Sequence, residues 1–266
     1  DNKVVYKPES SARINSITVV VDDDNWNNTI GDKIRNLYAD EYEGLPQIEE
    51  RFTLKQMPYE AFSGFSRSSR NIIFINKKSN PEFFFEVDKY ARPQIYLEIK
   101  GNSIKSILEQ IDKSKKEAIN KFTNGEIEEN KRRILKSPLK DTSAMEDLSI
   151  NVKMPSAYSL YKQDKNFIWY QKQIQKGHSN IIVTQLPSQK NIFDYNIQSL
   201  IKLRDSIGKS FLPGRNPESF MISEKEYLPY QKKVNYYGIK MLETRGPWEV
   251  KGDVMGWPFL NYLVED

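Results

Sequence analysis

The stretch SITVVVDDDNWNNTIGDKIRNLYA, residues 16–39, is the part of the sequence that decides the fold class. Its first part, 17–21, is a short apolar run rich in β-branched residues, which predicts a buried strand. Residues 22–25 then offer several side chains that favour a helix N-cap. Apolar residues recur at helical spacing from Trp26 to Leu37. The stretch therefore predicts a strand followed by a helix.

The rest of the first half continues this mixture of strands and helices. Apolar and alternating segments predict strands around 48–56, 71–76, 83–87 and 94–99, and a short helical turn at 59–62. An apolar stripe with helical spacing begins after Asn102 or Ser103, which can cap it. Asn124-Gly125 predicts the end of that helix, and a separate charged helix follows before Pro138.

A polar segment at 137–147 has no periodicity and predicts a linker. Beyond it we expect strands at 149–154, 158–162, 167–173, 180–186, 219–223, 230–236, 239–245, 248–250 and 259–264, and a helix from Ile197 to Ile207. Asn235–Gly238 predicts a hairpin turn. The sequence ends on a strand-like pattern, from which we expect an incomplete C-terminal sheet edge.

These elements predict an α+β protein of two tandem α/β sandwich domains. We expect each domain to be a mostly antiparallel sheet with helices packed on it. The predicted boundaries are a polar lead-in at 1–13, a first domain at 14–140 and a second domain at 141–266.

The composition excludes several classes of site. The sequence has no Cys and one His, His178, which excludes thiolate nucleophiles, disulfides and sites that need two His ligands. Its 40 basic and 36 acidic residues form no basic block, so we expect no nucleic-acid partner. No window is apolar enough to span a membrane. No motif indicates a cofactor.

Four short stretches carry candidate polar sites. Oxygens of Asp22 and Asp24 could hold a hard cation, but the spacing is not that of a calcium-binding loop, and helix capping is the favoured interpretation. His178 precedes Ser179, yet no nucleophile elbow accompanies them, so an exposed turn histidine is favoured. Arg67 and Arg70 could cup an anion; the favoured alternative is a solvated loop. The basic run at 131–133 is interpreted as the solvated face of a helix, and the alternative is that it binds anionic lipid head groups.

The C-terminal stretch RGPWEVKGDVMGWPFLNY, residues 245–262, holds Trp248 and Trp257, each next to a proline. A proline inside a strand removes a hydrogen-bond donor and predicts a bulge or an edge. We expect buried indoles here. The alternative is an aromatic surface for a glycan or a partner protein.

Several segments resemble a family of uncharacterised cell-envelope lipoproteins of Bacteroidota-type bacteria. They are SITVVVDDDNWNNTIGDKIR, GFSRSSRNIIFI, KRRILKS, IKLRDSIGKSFLPG and ETRGPWEVKGDVMGWPFLNYLVED. The resemblance implies a lipid-anchored protein of the envelope, periplasmic or surface-facing, with its acylated Cys upstream of Asp1 and a further strand and helix beyond Asp266. It implies no activity. The second half also resembles the PsbP-like sandwich in fold.

The favoured function is a non-enzymatic binding or structural role in the envelope, with an envelope protein or a glycan as partner. The alternative is a hydrolase of envelope glycans that uses two carboxylates, such as Asp22 with Glu243 or Glu249. That chemistry needs acids held about 5–9.5 Å apart, and the lack of Cys does not exclude it.

Overall fold

We describe a computed structural model of the chain, covering residues 6–45, 47, 49–77, 80–187, 191–236 and 238–265. The chain forms two compact units, Asp1–Glu41 with Glu50–Ser137, and Tyr42–Glu49 with Pro138–Asp266. Both contain sheets with helices packed on them. The predicted α+β class with two sheet-containing regions is confirmed.

The first unit is built on a five-stranded sheet with the order β2-β1-β3-β5-β4. Its elements are β1 (Ser16–Val20), α1 (Asp23–Trp26), α2 (Thr29–Tyr38), β2 (Thr53–Met57), two 3-10 helices (Tyr59–Ala61 and Gly64–Ser68), β3 (Asn71–Asn76), β4 (Glu82–Val87), β5 (Ile95–Lys100) and α3 (Ile104–Lys136). Strand β1 pairs in parallel with β2 and β3, and β3 with β5, while β4 runs antiparallel beside β5. The expectation of a mostly antiparallel sheet is wrong for this unit.

Both faces of this sheet are covered, which explains why its strands are apolar on two sides. One face packs against the helices in a core that includes Ile17, Ile34, Ile73 and Phe122. A smaller aromatic cluster around Phe62 and Tyr96 covers the other face. The predicted strand–helix order at 16–39 is therefore confirmed, and it belongs to a parallel arrangement.

Helix α3 runs without a break for 33 residues, so the predicted stop at Asn124-Gly125 is wrong. A Cβ on Gly125 would lie 2.8 Å from Cδ1 of Ile95, so the glycine allows the helix to lie close to β5. The predicted N-cap at Ser103 is confirmed, since its side chain accepts a hydrogen bond from the Ser106 amide at 3.2 Å.

The second unit holds two sheets. A three-stranded sheet has the order β6-β7-β8, and a four-stranded sheet has β10-β11-β12 with β9 also paired to β11. The elements are α4 (Ser143–Glu146), β6 (Ser159–Asp164), β7 (Phe167–Ile174), β8 (Gly177–Thr184), α5 (Ile197–Phe211), β9 (Phe220–Ser223), β10 (Tyr230–Tyr236), β11 (Ile239–Lys251) and β12 (Gly256–Val264). Every strand pair in these two sheets that the structure describes is antiparallel.

Two predictions for this half are wrong. Residues 149–154 form no strand. The separate strands expected at 239–245 and 248–250 are one strand, β11, which continues through Gly246-Pro247. The predicted turn at Asn235–Gly238 connects β10 and β11, and Gly238 takes a φ of +86° there; Tyr237 lies outside the described residues.

The segment Tyr42–Glu49 belongs to the second unit although elements of the first unit flank it in the sequence. The hydroxyl of Tyr227 donates a hydrogen bond to the Leu45 carbonyl at 2.8 Å. The guanidinium of Arg245 lies 5.1 Å from the ring centroid of Tyr42. Gly44 has a φ of +87°, and a Cβ there would lie 2.5 Å from Cβ of Tyr230. No feature of the sequence predicted this insertion.

Candidate functional site

The acidic stretch after β1 is a helix cap. Asp22 is the N-cap of α1, and its Oδ1 accepts hydrogen bonds from the amide and the side chain of Asn25 at 3.1 and 2.7 Å. Its Oδ2 lies 2.8 Å from Nζ of Lys77. Burial raises the pKa of Asp22, but the bonds from Lys77 and Asn25 outweigh it and bring the pKa to about 2.

Asp24 is exposed in the first turn of the same short helix. Within the described ranges, no group of three His, Asp or Glu side chains is arranged to hold a metal ion. The capping interpretation of Asp22 is confirmed.

The two candidate arginines lie in different environments. Arg70 is 2% exposed, and its guanidinium binds the Glu126 carboxylate and the carbonyl of Arg13. The expected solvated loop is therefore wrong for Arg70. Arg67 is exposed, and its guanidinium lies against two aromatic rings. The structure does not bring the two side chains together on one anion.

His178 is exposed at the start of β8, opposite Gln173 of β7. The hydroxyl of Ser179 lies 2.8 Å from the hydroxyl of Tyr158. That contact, rather than a bond to His178, is the one the Ser179 side chain makes. The Ser179 hydroxyl and the His178 ring are therefore not arranged as a nucleophile and its base.

The carboxylates of the hydrolase hypothesis differ in the direction of their pKa shifts. Burial raises the pKa of Glu243, but Arg245 and Lys232, whose nitrogens lie 2.9 and 3.4 Å from Oε1, outweigh it and lower the pKa. The pKa of Glu249 is raised, first by burial and then by neighbouring Glu224. Asp22 belongs to the first unit and the two glutamates to the second. Glu249 is therefore the member of this set whose pKa is raised.

The two tryptophans lie directly opposite each other in the β11–β12 hairpin. Trp248 pairs with Trp257, and Pro247 pairs with Pro258. The register continues through both prolines, so neither is at a bulge; of the predicted alternatives, Pro258 lies on an edge, because β12 is the terminal strand of its sheet in the described part of the chain. Trp257 is 51% exposed and Trp248 is partly buried. The expectation of buried indoles is therefore wrong for Trp257.

The hydrogen-bond pattern explains why both prolines fit. The amide of Val250 donates to the Met255 carbonyl, and bonded and non-bonded pairs alternate along an antiparallel ladder. Pro247 and Pro258 therefore form a non-bonded pair, which needs no N–H from either. Pro247 lies where β10 has ended and β9 has not begun, and its carbonyl accepts from the Glu224 amide at 3.1 Å. The backbone nitrogen of Pro258, which has no hydrogen to donate, faces away from β11, so no hydrogen bond to β11 is lost.

The same alternation leaves one backbone edge of β12 unpaired among the described residues. The amides and carbonyls of Leu260, Tyr262 and Val264 point away from β11. In the part of the chain that the structure describes, β12 is the terminal strand of its sheet. The side chains of these three residues are 56%, 42% and 47% exposed. We call the backbone and side chains of Leu260, Tyr262 and Val264 the β12 edge.

One side of the β12 edge is held in place by an aromatic and ionic cluster. The rings of Tyr262 and Tyr236 meet edge to face, with centroids 6.1 Å apart. The Tyr236 hydroxyl donates to Oε2 of Glu243 at 3.1 Å. Burial and the Glu243 charge raise the pKa of Tyr262. Tyr262 is therefore packed on one side against Tyr236, which is itself bonded to Glu243.

Sequence reasoning identified Trp257 and an edge in this region, but it did not predict that Leu260, Tyr262 and Val264 form an exposed apolar surface there. A detectable feature was present, because FLNYLV at 259–264 is apolar at every position except Asn261. A strand with one solvated face alternates apolar and polar residues instead.

Two family models match the chain. A domain of unknown function (DUF8532) matches residues 10–135, and a second one (DUF4837) matches residues 137–266. In comparisons with curated proteins and with solved structures, none matched this chain. No helix within the described ranges has the length and apolar character needed to cross a bilayer.

Proposed function

We propose that this chain is a binding protein whose second unit pairs an extended segment of a partner protein with the β12 edge. The observation that carries the proposal is the apolar edge of β12, whose outward amides and carbonyls have no strand partner among the described residues. Exposed sheet edges with unpaired N–H and C=O groups are templates for a further strand, and many recognition domains bind peptides this way.

The chemistry of the edge favours a protein segment over a glycan. An added strand satisfies the outward amides of Leu260, Tyr262 and Val264 in one repeating pattern, which sugar hydroxyls do not share. The exposed side chains of these residues would pack against apolar side chains at alternate positions of the segment. Trp257, on the opposite face of β12, adds a large aromatic contact, and such residues concentrate binding energy at interfaces.

The edge carries few of the devices that keep sheet edges from pairing. Pro258 is one such device, since it removes one outward donor. No charged residue lies between Gly256 and Val264. Three consecutive outward positions therefore remain open to an extended partner.

The glycan hydrolase is the weaker candidate. Asp22 is ion-paired with Lys77 and Glu243 with Lys232, and the pKa values of both carboxylates are lowered. A glycosidase needs one carboxylic acid with a raised pKa and a second carboxylate beside it. The raised pKa of Glu249 is the observation that favours this reading. In this hypothesis, the neighbouring Glu224 would be the second carboxylate.

We also propose a cell-envelope location with a lipid anchor, as expected of a bacterial lipoprotein. The resemblance of the quoted segments to envelope lipoproteins supports it. Metabolic labelling with an alkyne fatty acid tests it in the native cell. Label on the full-length protein supports the anchor, and loss of the protein from the membrane fraction on delipidation supports the location; an unlabelled protein contradicts both.

Site-specific crosslinking tests the edge-pairing proposal. The photoreactive residue p-benzoylphenylalanine replaces Leu260 in the full-length protein inside the cell that makes it, and the adduct is mapped by mass spectrometry. We expect adducts on an extended apolar segment of another protein. A synthetic peptide of that segment should then protect the amides of Leu260, Tyr262 and Val264 from hydrogen exchange.

Two variants and a control complete the test. Leu260→Pro removes one outward donor, as Pro258 already does, and Leu260→Lys places a charge on the edge. Both should weaken peptide binding at least about tenfold, or roughly 1.4 kcal/mol. Val254→Lys, in the exposed β11–β12 connection, should leave it unchanged. Adducts on a second copy of the chain, on its own residues or on a glycan contradict the proposal, as does protection of these amides before peptide is added.

A further inference from the structure

A depression of about 360 Å³ lies on the first unit, remote in sequence from the β12 edge. We call it the Arg67 pocket. Its lining comes from three separate segments: Pro8 and Glu9; Gly64, Phe65, Arg67 and Ser68; and Tyr90. The volume falls at the lower end of the range for small-molecule sites.

The walls of the Arg67 pocket are fixed by hydrogen bonds. The lead-in segment is held by bonds from the Arg92 amide to the Pro8 carbonyl at 2.9 Å and from the Ser11 amide to the Ser68 carbonyl at 2.8 Å. In the 3-10 helix, the Ser63 amide donates to Oγ of Ser66 at 2.8 Å. The pocket is thus preorganised, which lowers the entropic cost of binding.

Arg67 is the functional group of the pocket. Its Nε donates to the Phe62 carbonyl at 3.1 Å, and its guanidinium carbon lies 5.5 and 5.2 Å from the ring centroids of Phe62 and Tyr90. This leaves both terminal Nη atoms without a hydrogen-bond acceptor among the residues that the structure describes. A guanidinium held in this way presents N–H donors that match a carboxylate.

The charge and apolar surroundings narrow the ligand class. Glu9 is paired with Arg132 at 2.7 Å and lies 3.5 Å from Nζ of Lys136, so its negative charge is compensated. Phe65 is 82% exposed beside Arg67 on the rigid 3-10 helix. A solvent-exposed aromatic ring of this kind offers apolar surface area that a ligand can bury.

We infer that the Arg67 pocket binds a carboxylate carried on an aromatic or large apolar group. The Nη atoms of Arg67 donate to the carboxylate, and the ligand's apolar group packs on Phe65. A single unpaired guanidinium fits a monoanion. A peptide C-terminus that ends in an aromatic residue and a free aromatic acid share this chemistry.

Titration of the whole chain with N-acetylphenylalanine tests the inference, followed by amide NMR and calorimetry. We expect shifts centred on Gly64, Phe65 and Ser68. The neutral N-acetylphenylalanine amide should bind at least about tenfold more weakly, because it lacks the charge. Tighter binding of glycyl-glycyl-phenylalanine identifies a peptide C-terminus as the natural source, and equal binding identifies a free acid.

Variants separate the role of Arg67 from general charge. Arg67→Gln and Phe65→Ala should each weaken binding at least about tenfold. Arg35→Gln is the matched control, since Arg35 also lies over an aromatic ring, 4.6 Å from the Trp26 centroid, but outside the pocket. Equal binding of acid and amide, unchanged affinity in Arg67→Gln, or no shift at residues 64–68 with ligand in the millimolar range overturns the inference.

Discussion

Arg70 and Glu126 form a two-pronged ion pair in the interior of the first unit, with Nε–Oε1 at 2.7 Å and Nη2–Oε2 at 3.0 Å. Both side chains are 2% exposed. The remaining acceptor capacity of Glu126 is used by the Asn71 side chain at 2.6 Å and the Asn15 amide at 2.7 Å. The pair therefore joins the start of β3, the segment before β1 and the middle of α3.

Removing one partner of this pair should be strongly destabilising. Glu126→Ala removes the two short bonds to a buried guanidinium and leaves it only Glu129, whose Oε1 lies 3.8 Å from Nη1, so it should lower the free energy of unfolding by about 3–5 kcal/mol. Urea denaturation measures the effect. Glu117→Ala, which breaks the exposed Glu117–Lys121 pair on the same helix, should change stability by less than about 1 kcal/mol. Similar losses in both variants would show that burial of the Arg70 pair does not matter.

Glu129 should make stability depend on acid pH. Hydrogen bonds from Arg132 and Arg133, against the effect of burial, lower its pKa from 4.5 to about 2. Its contribution is complete above the unfolded value of 4.5 and is lost as the pH falls toward 2. Glu129→Gln should reduce the loss of stability over that range by up to roughly 3 kcal/mol. Parallel pH profiles of the variant and the parent chain would refute this.

The cap at Asp22 can be tested against its neighbour. Asp22→Ala removes the acceptor for the Asn25 amide and the ion pair with Lys77, and should cost about 1–2 kcal/mol of unfolding free energy. Asp24→Ala alters an exposed side chain of the same short helix and should cost less than about 0.5 kcal/mol. Thermal melts of the two variants provide the comparison. A larger shift for Asp24→Ala would contradict the capping role.

Gly208 should not tolerate a side chain. A Cβ there would lie 1.9 Å from the Met221 carbonyl oxygen, so α5 and β9 would have to separate. Gly208→Ala should destabilise the second unit by about 3 kcal/mol, measured by chemical denaturation.

Gly125→Ala is the control for this prediction. Its Cβ would meet only the end of the flexible Ile95 side chain, and alanine favours the helix by about 1 kcal/mol, so little net change is expected. A stable Gly208→Ala chain would show that the two elements can move apart at low cost.

The sequence predicted elements better than their arrangement. The strands Asn71–Asn76 and Tyr230–Tyr236 were predicted with the bounds that the structure has, because their apolar pattern is local. Strand direction in the first sheet was predicted wrongly, since a β-branched run does not specify its neighbour. The contact that Gly125 of α3 makes in the fold is with Ile95, which is distant in the sequence.

The candidate surfaces show the same limit. Arg67 was selected from its residue type, and Phe65 lies in the same 3-10 helix, whereas Glu9 and Tyr90 join them only once three segments are folded together. Arg70 resembles Arg67 in sequence context, yet its role depends on Glu126, which lies 56 positions away. Trp257 was identified, but the exposure of its strand depends on where the sheet ends.

The assignment of Tyr42–Glu49 to the second unit means that the polypeptide changes unit three times, after residues 41, 49 and 137. A fragment that starts at Pro138 lacks the Leu45 carbonyl that Tyr227 binds and the Tyr42 ring beneath Arg245. Cleavage after Ser137 alone likewise leaves a piece of each unit on the same covalent chain. Each unit is thus discontinuous in the sequence, and a C-terminal fragment that starts at Pro138 lacks one segment of the unit to which it belongs.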